Sequence, residues 1–297
     1  MGALFCSACF VCSAVIVVLA QPARPPVLQD LLQRAGAYVR QLEIDFSTVI
    51  GDEEYGQKGV LRTASGNGSR TRRMGSEMSF MWMPDEMVWL SVRNVLRLDG
   101  APVADSRARI DAALTDSTPG RTSQLRALRN EGARFNIGRI GRNFSDPMLG
   151  LQVVDPRMQP QFFFMHAGSE RVGGVETVRI SFTEHAHPTL INRGSDGQDL
   201  PAHGDVWIDV REGVVHRTRL ITDDSKFDTH AEITVTFARD KKLDRWLPVR
   251  MDETYVQQGV TVGDSPSSAG AFLERIECVA RYGNYRRFET SARVLPQ

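Results

Sequence analysis

The stretch GDVWIDVREGVVHRTRLI (residues 204–221) decides how this chain is read. Val206 and Ile208 share one side of an alternating run, the period-two pattern of a strand with one dry face. VREG (210–213) is a turn signal, and a second strand returns from it. Neither strand carries an obvious catalytic group, so the hairpin is either scaffold or binding surface. The same alternation recurs on both sides of it. VETVRISFT (175–183) puts Val178, Ile180 and Phe182 against Thr177, Arg179, Ser181 and Thr183. AEITVTFAR (231–239) puts Ile233, Val235 and Phe237 against Thr234 and Thr236, and VWLSVR (88–93) sets Val88, Leu90 and Val92 against Trp89, Ser91 and Arg93. GSERVGG (168–174) and ARDKKLD (238–244) read as turns between strands. One dry and one wet face imply antiparallel pairing.

Two regions break the strand pattern. After Pro25 and Pro26, apolar residues from Val27 through Leu31, Leu32, Ala35, Val39, Leu42, Phe46 and Val49 to Ile50 recur at steps of three and four. This predicts one long helix with Gly51 placed to end it. A second helical region is expected at about 106–137, where Leu125, Leu128 and Phe135 have helical spacing, Thr122 is a candidate N-cap and Gly132 counts against the helix. The element order gives an α+β class, with helices on one side of a curved antiparallel sheet. GNGSRTRR (66–73) and GVTVGDSPSSAG (259–270) read as exposed loops, and no linker is long enough to divide residues 21–297 into two domains.

Composition narrows the function. The chain has 297 residues, 36 basic and 36 acidic, and a balance of zero argues against a nucleic-acid binder. All but four of the basic residues (Lys58, Lys226, Lys241 and Lys242) are arginine. MGALFCSACFVCSAVIVVLA (1–20) has no charged side chain and ends small, then runs into QPARPP. It reads as a signal peptide cleaved after Ala20, making the protein exported, periplasmic or secreted, although it lacks a basic residue before its apolar core. The alternative is an uncleaved N-terminal membrane anchor. Cys6, Cys9 and Cys12 lie in this leader, which leaves Cys278 without an intramolecular disulfide partner. Cys278 shares a strand face with Ile276 and Ala280 and reads as a buried thiol.

WIDVREGVVHRTRL (207–220), EITVTF (232–237), RWLPVRMDETY (245–255) and YGNYRRFET (282–290), with the leader, resemble the C-terminal half of periplasmic proteins of the LolA/LolB-like superfamily. The resemblance runs mainly over 175–290. It implies an unclosed antiparallel half-barrel, a long N-terminal helix and short helices covering its concave face. It also implies an apolar cavity that holds a lipid or the acyl chains of a lipidated protein.

One segment suits such a surface. MGSEMSFMWMPDEMVWL (74–90) holds Met74, Met78, Met81, Met83 and Met87, and methionine adapts to irregular apolar shapes. Met81, Trp82, Met83 and Trp89 are the expected border of an apolar site, with Phe163 of FFFMH (162–166) a further candidate. The competing reading makes them core filler. Catalytic signals are weak. EHAHP (184–188) sets His185 and His187 on one strand face at a spacing that can hold a metal, but no third ligand is near. Asp223, Asp224 and Asp228 read as a solvated turn. No HExxH, GxSxG, P-loop or GxGxxG motif occurs. The expectation is a protein that is not an enzyme and uses no cofactor, and that binds a lipid or other apolar group in a half-barrel cavity. The alternative is an envelope interaction or structural protein whose core is filled by its own side chains.

Overall fold

The computed structural model describes residues 28–45, 48–83, 88–104, 108, 121–142, 144–193, 196–261 and 270–287. The leader and its cleavage point lie outside the described residues, as does Met87. Among the described residues no helix is long and apolar enough to cross a membrane.

The chain runs from α1 (Leu28–Asp45) into β1 (Thr48–Thr63), β2 (Gly66–Met83), β3 (Val88–Leu98) and β4 (Ala101–Pro102). Helix α2 (Arg121–Ala133) and 3-10 turns at Leu149–Val154 and Gln159–Gln161 follow. Then come β5 (Phe162–Val172), β6 (Val175–Glu184), β7 (Ile191–Asn192), β8 (Asp199–Leu200) and β9 (Ala202–Asp209). The last four are β10 (Val215–Asp224), β11 (Thr229–Asp240), β12 (Arg245–Thr261) and β13 (Gly270–Arg287). Eleven strands form one antiparallel sheet in the order β4-β3-β2-β1-β13-β12-β11-β10-β9-β6-β5, and β7 pairs with β8 apart from it. The first and last long strands are neighbours, while β4 and β5 stay at opposite edges, so the barrel is not closed. This is the half-barrel that the LolA/LolB-like motifs imply.

The alternation read from the sequence sets the faces. Ala231, Ile233, Val235 and Phe237 of β11, Met251 and Tyr255 of β12, and Ile276, Cys278 and Ala280 of β13 are all buried in one cluster on the concave side. Helix α1 adds Leu31, Leu32, Ala35, Val39 and Leu42 to that cluster. Each fully buried Leu or Val contributes about 1.5–3 kcal/mol. The helix is also tied at its side: Arg34 Nη1 donates to the Val210 and Arg211 carbonyls at 2.7 and 3.2 Å, and Tyr38 donates its hydroxyl to the Trp246 carbonyl at 3.1 Å. Gly213 (φ +74°) belongs to the turn beneath, where a Cβ would lie 2.5 Å from Arg34 Cβ.

Two expectations are corrected. The helix predicted to run from Val27 to Ile50 stops at Asp45, and Thr48–Thr63 is a strand. Thr48, Val49 and Ile50 are β-branched and pair with Met81, Phe80 and Ser79, so cross-strand packing overrides the helical spacing. GNGSRTRR is not a loop but the first half of β2, because Gly66 to Arg73 pair residue by residue with Thr63 to Gly56. Helix α2 lies within the second region expected to be helical. It packs against β3, with Leu128 on a separate cluster of Ile50, Met81, Leu90 and Val92. Gly132 belongs in this helix for a packing reason: a Cβ there would lie 2.6 Å from the Arg93 carbonyl oxygen. Gly132→Ala therefore lowers the melting temperature, although alanine is the better helix former. An unchanged or higher value would show that α2 has room to shift off β3.

The end of α1 is clamped by a charged triad in which Arg157 bonds both Glu43 and Asp155. Burial, with a hydrogen bond that the protonated Glu43 donates to Asp155, pushes the Glu43 carboxyl up to about 7. Asp155 is held low because Arg157 outweighs its burial. A carboxyl raised on folding binds more protons in the folded state, so its contribution is greatest at low pH. That contribution is lost as pH rises from the ordinary carboxyl range of about 4.3 to about 7. Glu43→Gln removes this dependence. Urea midpoints of the two proteins at several pH values check it, and parallel profiles would refute it.

Candidate functional site

The concave face is divided by one loop. Residues 134–142 and 144–148, between the end of α2 and the first 3-10 turn, lie against the middle of the sheet. Gly138 (φ +85°) allows the approach: a Cβ there would lie 2.4 Å from Ile276 Cδ1 and 2.8 Å from Glu274 Oε1. The Ile137 amide donates to Gln57 Oε1 at 3.1 Å and the Arg139 amide to Glu274 Oε2 at 2.9 Å. Arg142 is the anchor, only 5% exposed. Its Nη2 donates to Gln57 Oε1 at 2.7 Å and to the Ile137 carbonyl at 3.0 Å, and its Nη1 to Cys278 Sγ at 2.9 Å and the Tyr55 hydroxyl at 3.4 Å. Tyr55 and Tyr255 both donate to Glu253, at 2.5 and 2.6 Å. Burial first, and the Glu253 charge second, raise both phenols well above their ordinary value. This is a hydrogen-bonded polar centre inside an apolar bowl, with Arg142 Nε left as a buried donor without a hydrogen-bond partner.

Beside the loop lies a cleft of about 410 Å3. Ile140 and Phe144 of the loop form one wall, and Leu200, Thr222, Ala231 and Phe227 form the other. Phe144 is held in place against the Tyr255 ring, with centroids 6.0 Å apart. At the rim, Arg193 forks onto Asp224 (2.7 and 2.8 Å) and reaches Asp196 (2.7 Å), with its guanidinium 5.0 Å from the Phe227 ring centre. The Arg193 hydrogen bonds hold the Asp224 carboxyl below its ordinary value. The cleft is thus an apolar recess with a neutralised polar lip. Its volume falls in the range of small-molecule sites. Its lining suits holding an apolar group more than transforming one.

Cys278 lies beneath the loop, buried, and burial pushes its thiol up to about 11. The thiolate is the reactive form. Iodoacetamide at pH 8 therefore leaves the Cys278 peptide unmodified in the folded protein and labels it in urea, as peptide mass spectrometry would read. Equal labelling in both states would show that the loop does not cover this strand.

The residues singled out in the sequence do not share one surface. Trp82 and Trp89 face the concave core, with ring centroids 5.7 Å apart and Arg157 4.7 Å from the centre of the Trp82 ring. Met81 and Met83 point to the other face, against Leu128 of α2. Phe163 is 66% exposed on the outer side of the edge strand β5, stacked on His185 at 4.0 Å. His185 and His187 are not on one strand face, because β6 ends at Glu184. His187 Nδ1 instead bonds Asp199 Oδ2 at 2.6 Å. No group of three or more His, Cys, Asp or Glu is placed to hold a metal among the described residues. Asp223 and Asp224, expected on a turn, end β10 and pair with His230 and Arg193. The cleft residues Ile140, Phe144, Leu200, Phe227 and Ala231 escaped sequence reasoning. The available signal was a pair of glycines, Gly138 and Gly141, that break up a short run of isoleucines and arginines between Phe135 and Phe144.

No family model matches the chain, and no curated protein matches it. Among solved structures, it is similar to a putative outer membrane lipoprotein-sorting protein domain from Vibrio parahaemolyticus at 10% identity, covering 89% of this chain and 95% of that one with a TM-score of 0.30. It is also similar to a DUF1329 family protein from Desulfovibrio piger at 11% identity, covering 89% and 94% with a TM-score of 0.30. A third similarity is to the MucA/MucB complex of Pseudomonas aeruginosa, at 11% identity, covering 88% and 99% with a TM-score of 0.22.

Proposed function

We propose that this is an exported, non-catalytic protein that holds a lipid chain or similar apolar group in the half-barrel. The observation that carries the reading is the 410 Å3 cleft between Ile140 and Phe144 on one side and Leu200 and Ala231 on the other. A helix about 10 Å wide covers only part of an eleven-stranded sheet, and the loop beside it leaves this cleft between itself and the strands. The uncharged leader supports export. The self-filled alternative draws on the surface beneath α1, where Phe80, Trp82 and Trp89 pack with the protein's own side chains.

Titration with saturated fatty acids of increasing length, competing against a fluorescent fatty-acid probe, tests the proposal. Each added methylene that enters the cleft contributes about 0.8 kcal/mol, roughly fourfold in affinity. The series is expected to steepen at about that rate and then level off when the cleft is full. Ala231→Trp, which fills the floor, abolishes the signal, while Trp82→Ala leaves it. Absence of saturable binding in the wild type would support the self-filled core.

A further inference from the structure

Across the loop from the cleft lies a second cavity, of about 260 Å3 and different chemistry. Gly59, Gly68, Ser69, Arg70, Gly138 and Arg139 contribute to its lining. Arg139 lines both cavities. The first is walled by isoleucine, leucine and phenylalanine, with Arg193 at its rim already bonded to Asp224 and Asp196, whereas the second, which Leu61 and Ile137 also line, presents the guanidinium groups of Arg70 and Arg139. Both arginines are exposed, and neither side chain forms an ion pair among the described residues. The Arg139 guanidinium lies 5.5 Å from the centre of the Phe272 ring, so it is poised rather than paired. Glu274 is the acid of this recess, but it is buried, and one of its carboxylate oxygens already accepts the Arg139 amide. The two guanidiniums outnumber it. Gly68 leaves the mouth open, with nothing within 4 Å of where a Cβ would stand.

An apolar recess and a basic recess that share one arginine match a molecule with two such ends. We infer that the ligand is a phosphate-bearing amphiphile, an inference that rests on the apolar-group reading above. Its acyl chain occupies the cleft between Ile140 and Ala231, and its phosphate sits in the recess of Arg70 and Arg139. Arginine is suited to this role because its planar fork can give two parallel N–H bonds to phosphate oxygens. Arg139 then acts at the junction of head and tail, and Arg70 at the far side of the head.

The test compares decyl phosphate with decyl glucoside, both below micelle-forming concentrations, by calorimetric titration at low salt. The inference expects decyl phosphate to bind roughly tenfold more tightly, the size of a charge-assisted hydrogen bond. The preference shrinks with added salt. Arg70→Gln and Arg139→Gln each reduce it, and together they abolish it; decyl glucoside affinity is unchanged in Arg70→Gln, whose side chain does not line the cleft, whereas Arg139→Gln, at the junction of the two cavities, weakens decyl phosphate more than decyl glucoside. Because both side chains are exposed, these variants fold, and unchanged glucoside binding in Arg70→Gln confirms that the cleft is intact. Equal binding of the two probes overturns the headgroup inference and leaves the apolar reading standing. Failure of both probes to bind overturns the two together. If inorganic phosphate alone binds as tightly as decyl phosphate, the recess is an independent anion site and the coupling of head to tail is wrong.

Discussion

Arg93→Leu is expected to lower the unfolding free energy by about 3–5 kcal/mol, the usual cost of removing one partner from a buried ion pair. Arg93 Nε and Nη2 grip the two Glu53 oxygens at 2.7 and 2.9 Å, with side chains only 8% and 0% exposed. The guanidinium also lies 4.3 Å from the centre of the Tyr55 ring. Burial by itself would lower the pKa of Arg93, but the charge and hydrogen bonds of Glu53 prevail and hold it well above its ordinary value. Leucine at 93 leaves the Glu53 carboxylate enclosed with no cation. The loss therefore exceeds that of an exposed pair such as Arg97–Glu54, worth about 0–1 kcal/mol. The decisive control is Glu53→Leu with Arg93→Leu, which recovers most of the loss because no charge is then stranded. Urea melts of the four proteins of this cycle give the coupling. A double variant as unstable as either single one would show that the pair supports packing rather than neutralising charge.

That pair also marks where sequence reading stops. The sheet was legible because its strands are half-wet, and Ile233, Val235 and Phe237 alternate with threonines that betray the dry side. The same rule fails for β3, where Leu90 and Val92 are buried under α2 while Trp89, Ser91 and Arg93 are buried in the bowl. A charged residue on a strand reads as solvent-facing, and nothing local shows that Arg93 meets Glu53 forty residues earlier. The end of α1 was lost for a related reason. Val49 and Ile50 fit a helical stripe, and only their pairing with Phe80 and Ser79, a long-range fact, makes them a strand. The cleft was least legible. Its walls come from a loop and from three strands distant in sequence, and its apolar residues stand singly among polar ones. The methionine-rich segment drew attention through composition, yet the sheet separates Met81 and Met83 from Trp82 and Trp89.

Arg142→Leu is expected to cost about 3 kcal/mol of stability and, unlike Arg93→Leu, to weaken binding of the apolar probe by tenfold or more. The two buried arginines differ in what they hold. Arg93 joins β3 to β1, two strands already held in register by the backbone of β2 between them. Arg142 joins a loop to the sheet, through Gln57 and Cys278, and it carries the cleft wall of Ile140 and Phe144 with it. Leucine can fill much of the volume but cannot donate. The Ile137 carbonyl then loses its 3.0 Å partner, the Gln57 carbonyl loses its 2.7 Å partner and keeps only the Ile137 amide, and Glu253 loses the nearby positive charge. Buried acceptors left without donors cost about 1–3 kcal/mol each. The loop can recover part of this by lifting toward water, which is the movement that would dismantle the cleft. Arg142→Lys separates charge from geometry. A lysine restores a cation near Glu253, but its ammonium cannot span Gln57 and Cys278 as a planar fork does. It is expected to regain stability more than binding. The telling measurement is accessibility of Cys278: iodoacetamide labels it faster in Arg142→Leu than in the wild type under native conditions. Weaker binding without faster labelling would mean that the wall has been repacked, not lifted, and an Arg142→Leu protein that binds the probe normally would remove the loop from the site.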